Sequence, residues 1–296
     1  MGHNPGAGDV CQTCGVTLPN ANLDEANITV TTFEKLKECL EDPKTAIGSD
    51  YSQITVRLGA NIIAPKDGLI EQLNKLEVTL DLHGYTLTLY NSAYNGTDYG
   101  KSGFFVRGAM MIKDSSLASC GKIVAAETDN NGDDGLITVE KTSTTGLFGK
   151  SNNQFIWDSG TIDSSNNPNG CAIMMWHSGR VTIEGGTVKA KSYAISGSTG
   201  DTMLKGRLII NGGWIESENS YAIYHPQAIK IMTNASEPKY GAFHINGGTI
   251  KGKDGAIYDS ANCATKVTTF TKDSTYYYTV KLESDLGSAN VAIYAK

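Results

Sequence analysis

Apolar and polar residues alternate along most of the chain, and glycine interrupts the alternation at regular intervals. In the stretch VTIEGGTVKA, residues 181–190, the alternation runs on both sides of a glycine pair. Side chains of a strand point alternately to opposite faces, whereas those of a helix return every three or four residues. The pattern therefore predicts strands. The predicted inward residues are Val181, Ile183 and Val188, and the predicted outward residues are Thr182, Glu184 and Lys189.

A glycine-centred phrase occurs four times: FIWDSGTID from 155, VTIEGGTVK from 181, IINGGWIES from 209 and HINGGTIKG from 244. The last glycines of the copies are 26, 27 and 35 residues apart, a spacing typical of solenoid repeats. These glycines are Gly160, Gly186, Gly213 and Gly248. A shorter phrase, CAI, YAI, YAI or GAI, follows each copy. Because glycine adopts backbone angles that a Cβ forbids, we expect these glycines to form the corners of stacked β-coils.

Two further stretches carry a family resemblance. VTLDLHGYTLTL at 78–89 and MIKDSSLASCGKI at 111–123, together with the glycine repeats, resemble the right-handed parallel β-helix of the pectin-lyase-like superfamily. More narrowly, they are similar to repeat proteins of gut bacteria and their phages that open with D-L-x-G-[YH]-T-[LI]. The resemblance covers roughly residues 28–260. It implies an all-β fold, a right-handed parallel β-helix, but no single activity, since that superfamily holds lyases, hydrolases, adhesins and virion proteins.

The chain divides into three predicted segments. Residues 1–27 are rich in Gly, Asn and Pro and predict an extended arm, either a disordered tail or a segment that docks on a neighbouring subunit. Residues 28–262 form the predicted β-helix. Residues 263–296 alternate strongly without the glycine phrase and predict a C-terminal β closure or a subunit contact through the tyrosines at 276–278.

A helix is predicted at 33–42, FEKLKECLED. Thr31 and Glu34 have the spacing of a capping box, while Phe33, Leu36 and Leu40 fall on one helical face. Such a helix would cover the open end of the first coil, where strand edges otherwise invite aggregation. We interpret it as the N-terminal cap of the solenoid.

Composition limits the partners. The net charge is −6, and only four of the 25 basic residues are arginines, so nucleic acid is not an expected partner. No run approaches the roughly 18–20 apolar residues of a membrane helix. The first twenty residues lack the basic start and apolar run of a secretory signal. This is the expected pattern for a protein that is assembled in a host cytoplasm and released by lysis.

One loop has the spacing of a calcium site. In DNNGDDGLITVE the first, third, fifth and twelfth residues carry oxygen ligands, and these are Asp129, Asn131, Asp133 and Glu140. The glycine required at the sixth place is at the seventh, Gly135, so an acidic solvent loop is the favoured interpretation and calcium the alternative. No other cofactor is expected.

Cys11 and Cys14 form a C-x-x-C pair, which is half of a zinc site. Plain thiols are favoured over a metal shared between subunits.

Aromatic residues supply a binding hypothesis. Trp176, Trp214, Tyr224 and Tyr258 lie near equivalent places in successive repeats, and flat apolar rings suit sugar faces. Packing between coils is the favoured alternative for these rings. Alternation places Trp157 inward.

A row of polar residues precedes the glycines: Asp158, Glu184, Asn211 and Asn246. Adjacent carboxylates about 5 Å apart, the spacing of neighbouring strands, could act as the pair of a retaining glycosidase. We favour a solvated ladder, since only the first two positions of the row ionise.

Together these observations predict a non-enzymatic virion structural protein of a phage, a head decoration, fibre or tail component. The expected partners are other virion proteins, bound through the arm, and surface glycans; a homo-oligomer is expected. A tailspike-type polysaccharide-degrading enzyme and a bacterial cell-surface adhesin, extracellular or on the cell surface, remain the alternatives.

Overall fold

The computed structural model describes residues 25–47, 53–66, 68–72, 77–90, 103–126, 135–140, 154–176, 179–197, 207–225, 242–245, 247–259 and 280–284. Strands dominate these residues and form three sheets in which every pair of neighbours is parallel. The chain visits the three sheets in a constant order, so each circuit adds one strand to each sheet. The fold is a right-handed parallel β-helix, as the sequence predicted.

The first sheet consists of β1 (Glu25–Val30), β2 (Gln53–Leu58), β5 (Glu77–Asp81), β8 (Ala109–Lys113), β11 (Phe155–Trp157), β14 (Arg180–Ile183), β17 (Arg207–Ile210) and β20 (Ala242–Ile245). The second sheet consists of β3 (Ile62–Ile63), β6 (Thr86–Leu89), β9 (Lys122–Ala125), β12 (Thr161–Ser164), β15 (Thr187–Ala190), β18 (Trp214–Ser217), β21 (Gly248–Gly252) and β23 (Val280–Ser284). The third sheet consists of β4 (Ile70–Gln72), β7 (Phe104–Val106), β10 (Gly135–Glu140), β13 (Cys171–Trp176), β16 (Ile195–Gly197), β19 (Tyr221–His225) and β22 (Gly255–Asp259).

The core is a column of apolar side chains that runs along the inside of the three sheets. In the second sheet, one inward row is entirely aliphatic, and its buried members are Ile62, Leu87, Ile123, Ile162, Val188, Ile215 and Ile250. The short CAI, YAI and GAI phrases enter the third sheet, and their alanines are all buried: Ala172, Ala194, Ala222 and Ala256. Each coil therefore covers the apolar edge of the coil before it, which no coil could do for itself.

The repeated glycines turn the chain from the first sheet to the second. Gly160, Gly186, Gly213 and Gly248 have φ angles of 90°, 68°, 88° and 92°. These values lie in the left-handed region, where a Cβ is disfavoured. Neighbouring corners also pack backbone on backbone, because a Cβ on Gly213 would lie 2.7 Å from the carbonyl oxygen of Gly186. The prediction that the glycines form corners is confirmed.

Two helices lie at the N-terminal end, α1 (Phe33–Glu41) and α2 (Pro43–Ile47). The predicted apolar face of α1 is buried, with Leu36 and Leu40 fully enclosed and Phe33 6% exposed. The predicted capping box at Thr31 is wrong by one residue. Thr32 is the N-cap, and its side chain accepts a hydrogen bond from the amide of Lys35. Consecutive threonines offer the same cap chemistry, so spacing alone does not choose between them.

The predicted alternation is confirmed on the inward side, where Val181, Ile183 and Val188 are buried. On the outward side Glu184 and Lys189 are half-buried, but Thr182 is only 3% exposed. Its register partners on the same outer row are Ile156 and Ile209. The outer face of the first sheet therefore includes an apolar strip that the alternation did not predict. At the other end of the molecule, β23 adds to β21 as a further parallel strand.

Replacement of a corner glycine should destabilise the stack. In Gly186→Ala the new Cβ would lie 2.6 Å from the oxygen of Gly160 and 2.8 Å from Nε1 of Trp157, at a φ of 68°. We expect a loss of roughly 1–3 kcal/mol from backbone strain alone, seen as a lower urea midpoint in circular dichroism. Gly185→Ala is the matched control, because its Cβ would also meet a backbone oxygen, that of Asp158 at 2.9 Å, but its φ is not in the left-handed region, so it should lose less stability. Equal midpoints for the two variants would contradict the corner account.

Candidate functional site

The outer face of the third sheet carries an aromatic and charged cluster. Phe105 and Trp176 meet edge to face, with ring centroids 6.2 Å apart. The guanidinium of Arg107 lies 4.9 Å from the centroid of Phe105 and forms an ion pair with Glu140. Phe105 is only 1% exposed, whereas Trp176 is half-buried. Trp176 is thus the accessible ring of this cluster.

A second aromatic group lies further along the same sheet. The rings of Tyr193 and Tyr224 are stacked, with centroids 4.3 Å apart and an interplanar angle of 18°. Both side chains are half-buried, so each retains contact with solvent. In the register of β19 and β22, Tyr224 is paired with Tyr258, one coil further along. Tyr193 was not among the predicted residues, although its YAI phrase marks the same corner as Tyr221.

The prediction that the four aromatics lie near equivalent places is wrong for Trp214, and Trp176 is displaced by two residues, since Met174 is the β13 residue in the register row of Tyr224 and Tyr258. Trp214 lies in the second sheet, between Thr187 and Thr249 in register, while Trp176, Tyr224 and Tyr258 lie in the third sheet. Its indole nitrogen donates to Glu216 at 3.0 Å. Trp214 follows the corner glycine directly, so it belongs to the strand after that corner and not to the next sheet. The buried Trp157 points inward as predicted.

Of the four predicted calcium ligands, one, Glu140, lies within the described part of the chain. Asp129, Asn131 and Asp133 lie outside the described residues. Glu140 ends β10, and its carboxylate is neutralised by Arg107. Among the described residues no group of three or more His, Cys, Asp or Glu side chains is placed to hold a metal ion. Cys11 and Cys14 also lie outside the described part. Among the described cysteines, Cys39 and Cys171 are buried and Cys120 is exposed, and none of the three is in a disulfide.

The predicted carboxylate row lies on the outer side of the first sheet, just before the corner glycines. Asn211 donates from its side chain to Glu184 at 2.7 Å, and Ser159 donates to Asp158 at 3.1 Å. Asn246 lies outside the described residues. The two carboxylates are adjacent in the stack, since the amide of Glu184 bonds to the oxygen of Trp157. Each of them accepts a hydrogen bond from a neighbouring polar side chain.

The same row continues towards the N-terminus with a buried acid. Asp81 is fully buried and accepts four hydrogen bonds: from the amides of His83 and Ser115, the Ser115 hydroxyl at 2.7 Å and the Arg57 guanidinium at 3.0 Å. Burial by itself would raise the pKa of Asp81, but these hydrogen bonds outweigh it and lower the pKa. The Ser115 hydroxyl also lies 3.0 Å from Nδ1 of His83.

Asp114, one coil further along, is a second acid whose carboxylate accepts several hydrogen bonds. One carboxylate oxygen accepts from the amides of Gly84 at 2.8 Å and Ser116 at 3.2 Å. The other accepts from the Ser116 hydroxyl at 2.9 Å and the amide of Gly121 at 2.7 Å. Burial again opposes ionisation, and the hydrogen bonds, led by the one from Gly121, lower the pKa. Asp114 thereby ties two successive corners together through charge-assisted hydrogen bonds.

The outer face of the second sheet carries a charge row that the sequence analysis missed. Register places Asp163, Lys189, Glu216 and Lys251 on successive strands, so charges of opposite sign alternate. Lys251 lies 3.5 Å from Glu216, and Lys189 lies 2.8 Å from Glu218. The hydrogen bond from Lys189 lowers the pKa of Glu218, and the same bond raises that of Lys189. Half-exposed pairs of this kind favour one register more than they add stability.

Comparison with known proteins adds no relative. No protein-family model matches the chain, and neither a curated protein nor a solved structure matches it. No helix in the described part is long and apolar enough to cross a membrane. The parallel β-helix is therefore established by the three sheets of the chain itself.

The two buried aspartates should make stability depend on acid. Their pKa values are lowered from 3.8, so the folded state holds these protons less tightly than the unfolded state does. Their stabilisation is complete above about pH 5 and is lost as the pH falls through 3.8 towards the folded-state values. We expect the melting temperature, followed by circular dichroism, to fall in this range. In Asp114→Asn the fall should be shallower, from a starting stability reduced by about 1–3 kcal/mol.

Glu216→Gln is the matched control for this measurement, because it removes a carboxylate on the outer face of the second sheet that does not join two corners. If the melting temperature of Asp114→Asn falls with pH in parallel with that of the wild type, this would contradict the role of Asp114 in joining two corners.

Proposed function

We propose that this chain is a non-enzymatic structural protein of a phage particle, a head decoration, fibre or tail component that presents its β-helix at the surface. The observation that carries the proposal is the hydrogen bonding of the outward acids. Asp81 is held by Arg57, Glu184 by Asn211, and Asp158 by Ser159. The bonds of Asp81 and Glu184 connect successive coils, while that of Asp158 is made within one coil, and a solenoid braced in this way suits a particle surface.

Glycoside hydrolysis makes different demands on carboxylates. It requires two that face one substrate, one of them kept protonated to act as the acid. The Asp158 and Glu184 pair is the one place where a described feature favours the enzyme alternative, since the two lie on adjacent coils. In the structural role, their side chains instead extend the row that starts at Arg57 and Asp81.

The likeness to repeat proteins of gut bacteria and their phages supports a virion location, with assembly in the host cytoplasm. The N-terminal arm, residues 1–24 of which lie outside the described part, is the proposed attachment to other virion proteins. A bacterial surface adhesin would share the solenoid and the exposed rings. The virion and the bacterial cell surface are distinguished by determining in which of the two the chain is found.

The outer face of the third sheet is the proposed glycan-binding surface. Trp176 and the Tyr193–Tyr224 stack provide half-exposed rings, and apolar ring faces pack well against the C–H faces of sugars. Phe105 packs edge to face against Trp176, and Arg107 lies over the Phe105 ring. Trp214, on the second sheet and fixed by Glu216, is outside this surface.

Particle composition tests the location. Phage particles from the source culture, purified and inspected by negative-stain electron microscopy, should contain this chain at high copy when analysed by mass spectrometry. Host-envelope fractions should contain little of it. Absence from particles, with recovery from cell envelopes or medium, would overturn the virion proposal.

Polysaccharide cleavage tests the absence of catalysis. Wild type, Asp158→Ala and Glu184→Ala should all leave host capsular and lipopolysaccharide preparations uncleaved, as measured by release of reducing ends. Cleavage by the wild type that disappears in both variants would establish the enzyme alternative.

Glycan binding tests the aromatic surface. Immobilised gastric mucin should bind wild type and Trp214→Ala alike in biolayer interferometry, whereas the double variant Tyr193→Ala/Tyr224→Ala should bind about tenfold more weakly, equivalent to about 1.4 kcal/mol. The tryptophan variant is the matched control, since it removes an aromatic ring from another sheet. Equal loss in both variants, or no binding by the wild type, would contradict a glycan surface on the third sheet.

A further inference from the structure

The first sheet ends at the N-terminal side in a strand whose outer edge has no partner in the described part of the chain. β1 is the terminal strand of the sheet, and β2 is its one partner among the described residues. The strand, EANITV, has no proline and no lysine, which are the residues that commonly protect an exposed edge. Asn27 and Thr29 are exposed, while Val30 is buried.

The direction of the backbone groups on β1 follows from one hydrogen bond. The carbonyl oxygen of Val30 accepts from the amide of Gly59 at 2.8 Å, so Val30 faces β2. In a parallel strand, successive residues direct their N–H and C=O groups to opposite edges. Asn27 and Thr29 therefore direct theirs away from β2. No described residue is hydrogen-bonded to this outer edge.

The cap helix limits what can approach this end. α1 packs against β4 and covers the end of the third sheet, where Glu41 accepts from the amide of Glu71 at 2.8 Å. A second solenoid cannot stack on all three sheets here, because α1 would stand between the two cores. Beside α1, the outer edge of the first sheet has no strand partner among the described residues.

The surface of α1 carries both signs of charge. Lys35 pairs with Glu38 at 2.9 Å, and Lys37 pairs with Glu41. A mixed surface of this kind complements a copy of itself, whereas a strongly basic or acidic partner would face charges of its own sign. This charge pattern favours a second copy of the chain as the partner at this end.

We propose that two copies pair through β1, with their edges antiparallel about a twofold axis. A twofold axis brings the same surface of each copy together, and such dimers are the commonest closed assemblies. The pairing supplies partners for the outward backbone groups of Asn27 and Thr29 in both copies, and it joins the first sheets into one continuous sheet. The inference concerns an interface of the isolated chain and does not depend on the phage location.

Proline substitution tests this pairing directly. The full chain should be a dimer in sedimentation equilibrium, and Asn27→Pro/Thr29→Pro should be a monomer, because each proline removes an N–H from the outer edge and leaves the bonds to β2 in place. Asn27→Val/Thr29→Val is the matched control and should remain a dimer, since it keeps both amides. A monomeric wild type, or a proline variant that stays dimeric, would overturn the proposal.

Cysteine cross-linking gives a second test that does not depend on the folding of the proline variant. In Asn27→Cys/Thr29→Cys, antiparallel edges bring one of the new thiols opposite itself or opposite the other, within reach of a disulfide. Mild oxidation should give a linked dimer on a non-reducing gel. Thr79→Cys, on the outer face of the same sheet, is the control and should give no more dimer than the parent chain. Equal linking in both variants would contradict pairing through β1.

Discussion

The whole molecule depends on the hydrogen-bond ladder between successive coils. A ladder of parallel strands is satisfied only if every coil returns to the same three sheets in the same register, so each corner must turn within a few residues. Glycines with φ angles near 90° make that turn between the first and second sheets, and their backbones approach too closely for a side chain. Everything outside the core, including the polar rows and the aromatic face, takes its position from this ladder.

Polar side chains on the outside of the coils both face solvent and form hydrogen bonds that connect neighbouring coils. Asp81 and Asp114 accept hydrogen bonds from residues of neighbouring coils. The row of alternating charges from Asp163 to Lys251 favours a single register of the strands. A one-residue slip would invert the inward and outward faces of a strand. Asp158 and Glu184, the carboxylates that the enzyme alternative would need, also accept hydrogen bonds from neighbouring side chains, which is why we propose a structural role for them.

The sequence predicted the features that rest on local pattern and missed those that rest on pairing between coils. Alternation and the spacing of Gly186 and Gly213 sufficed for the solenoid, because both signals repeat. The hydrogen bonds that join two corners through Asp114 could not be predicted, since the donors Gly84 and Gly121 lie 30 residues before it and 7 after it. Trp214 does not belong with the third-sheet aromatics, because it takes the place of Thr187 and Thr249 directly after a corner glycine, whereas Trp176 and Tyr224 follow the CAI and YAI phrases.

The central claim is that a solenoid braced by its own polar rows serves as a component of a phage particle. Cryo-electron microscopy of purified particles tests it most directly, because a three-sided parallel β-helix is recognisable by its shape. The account predicts repeated density at the particle surface into which the three sheets fit, with the N-terminal arm directed at a neighbouring protein. Particles whose entire surface density is explained by other chains would contradict it.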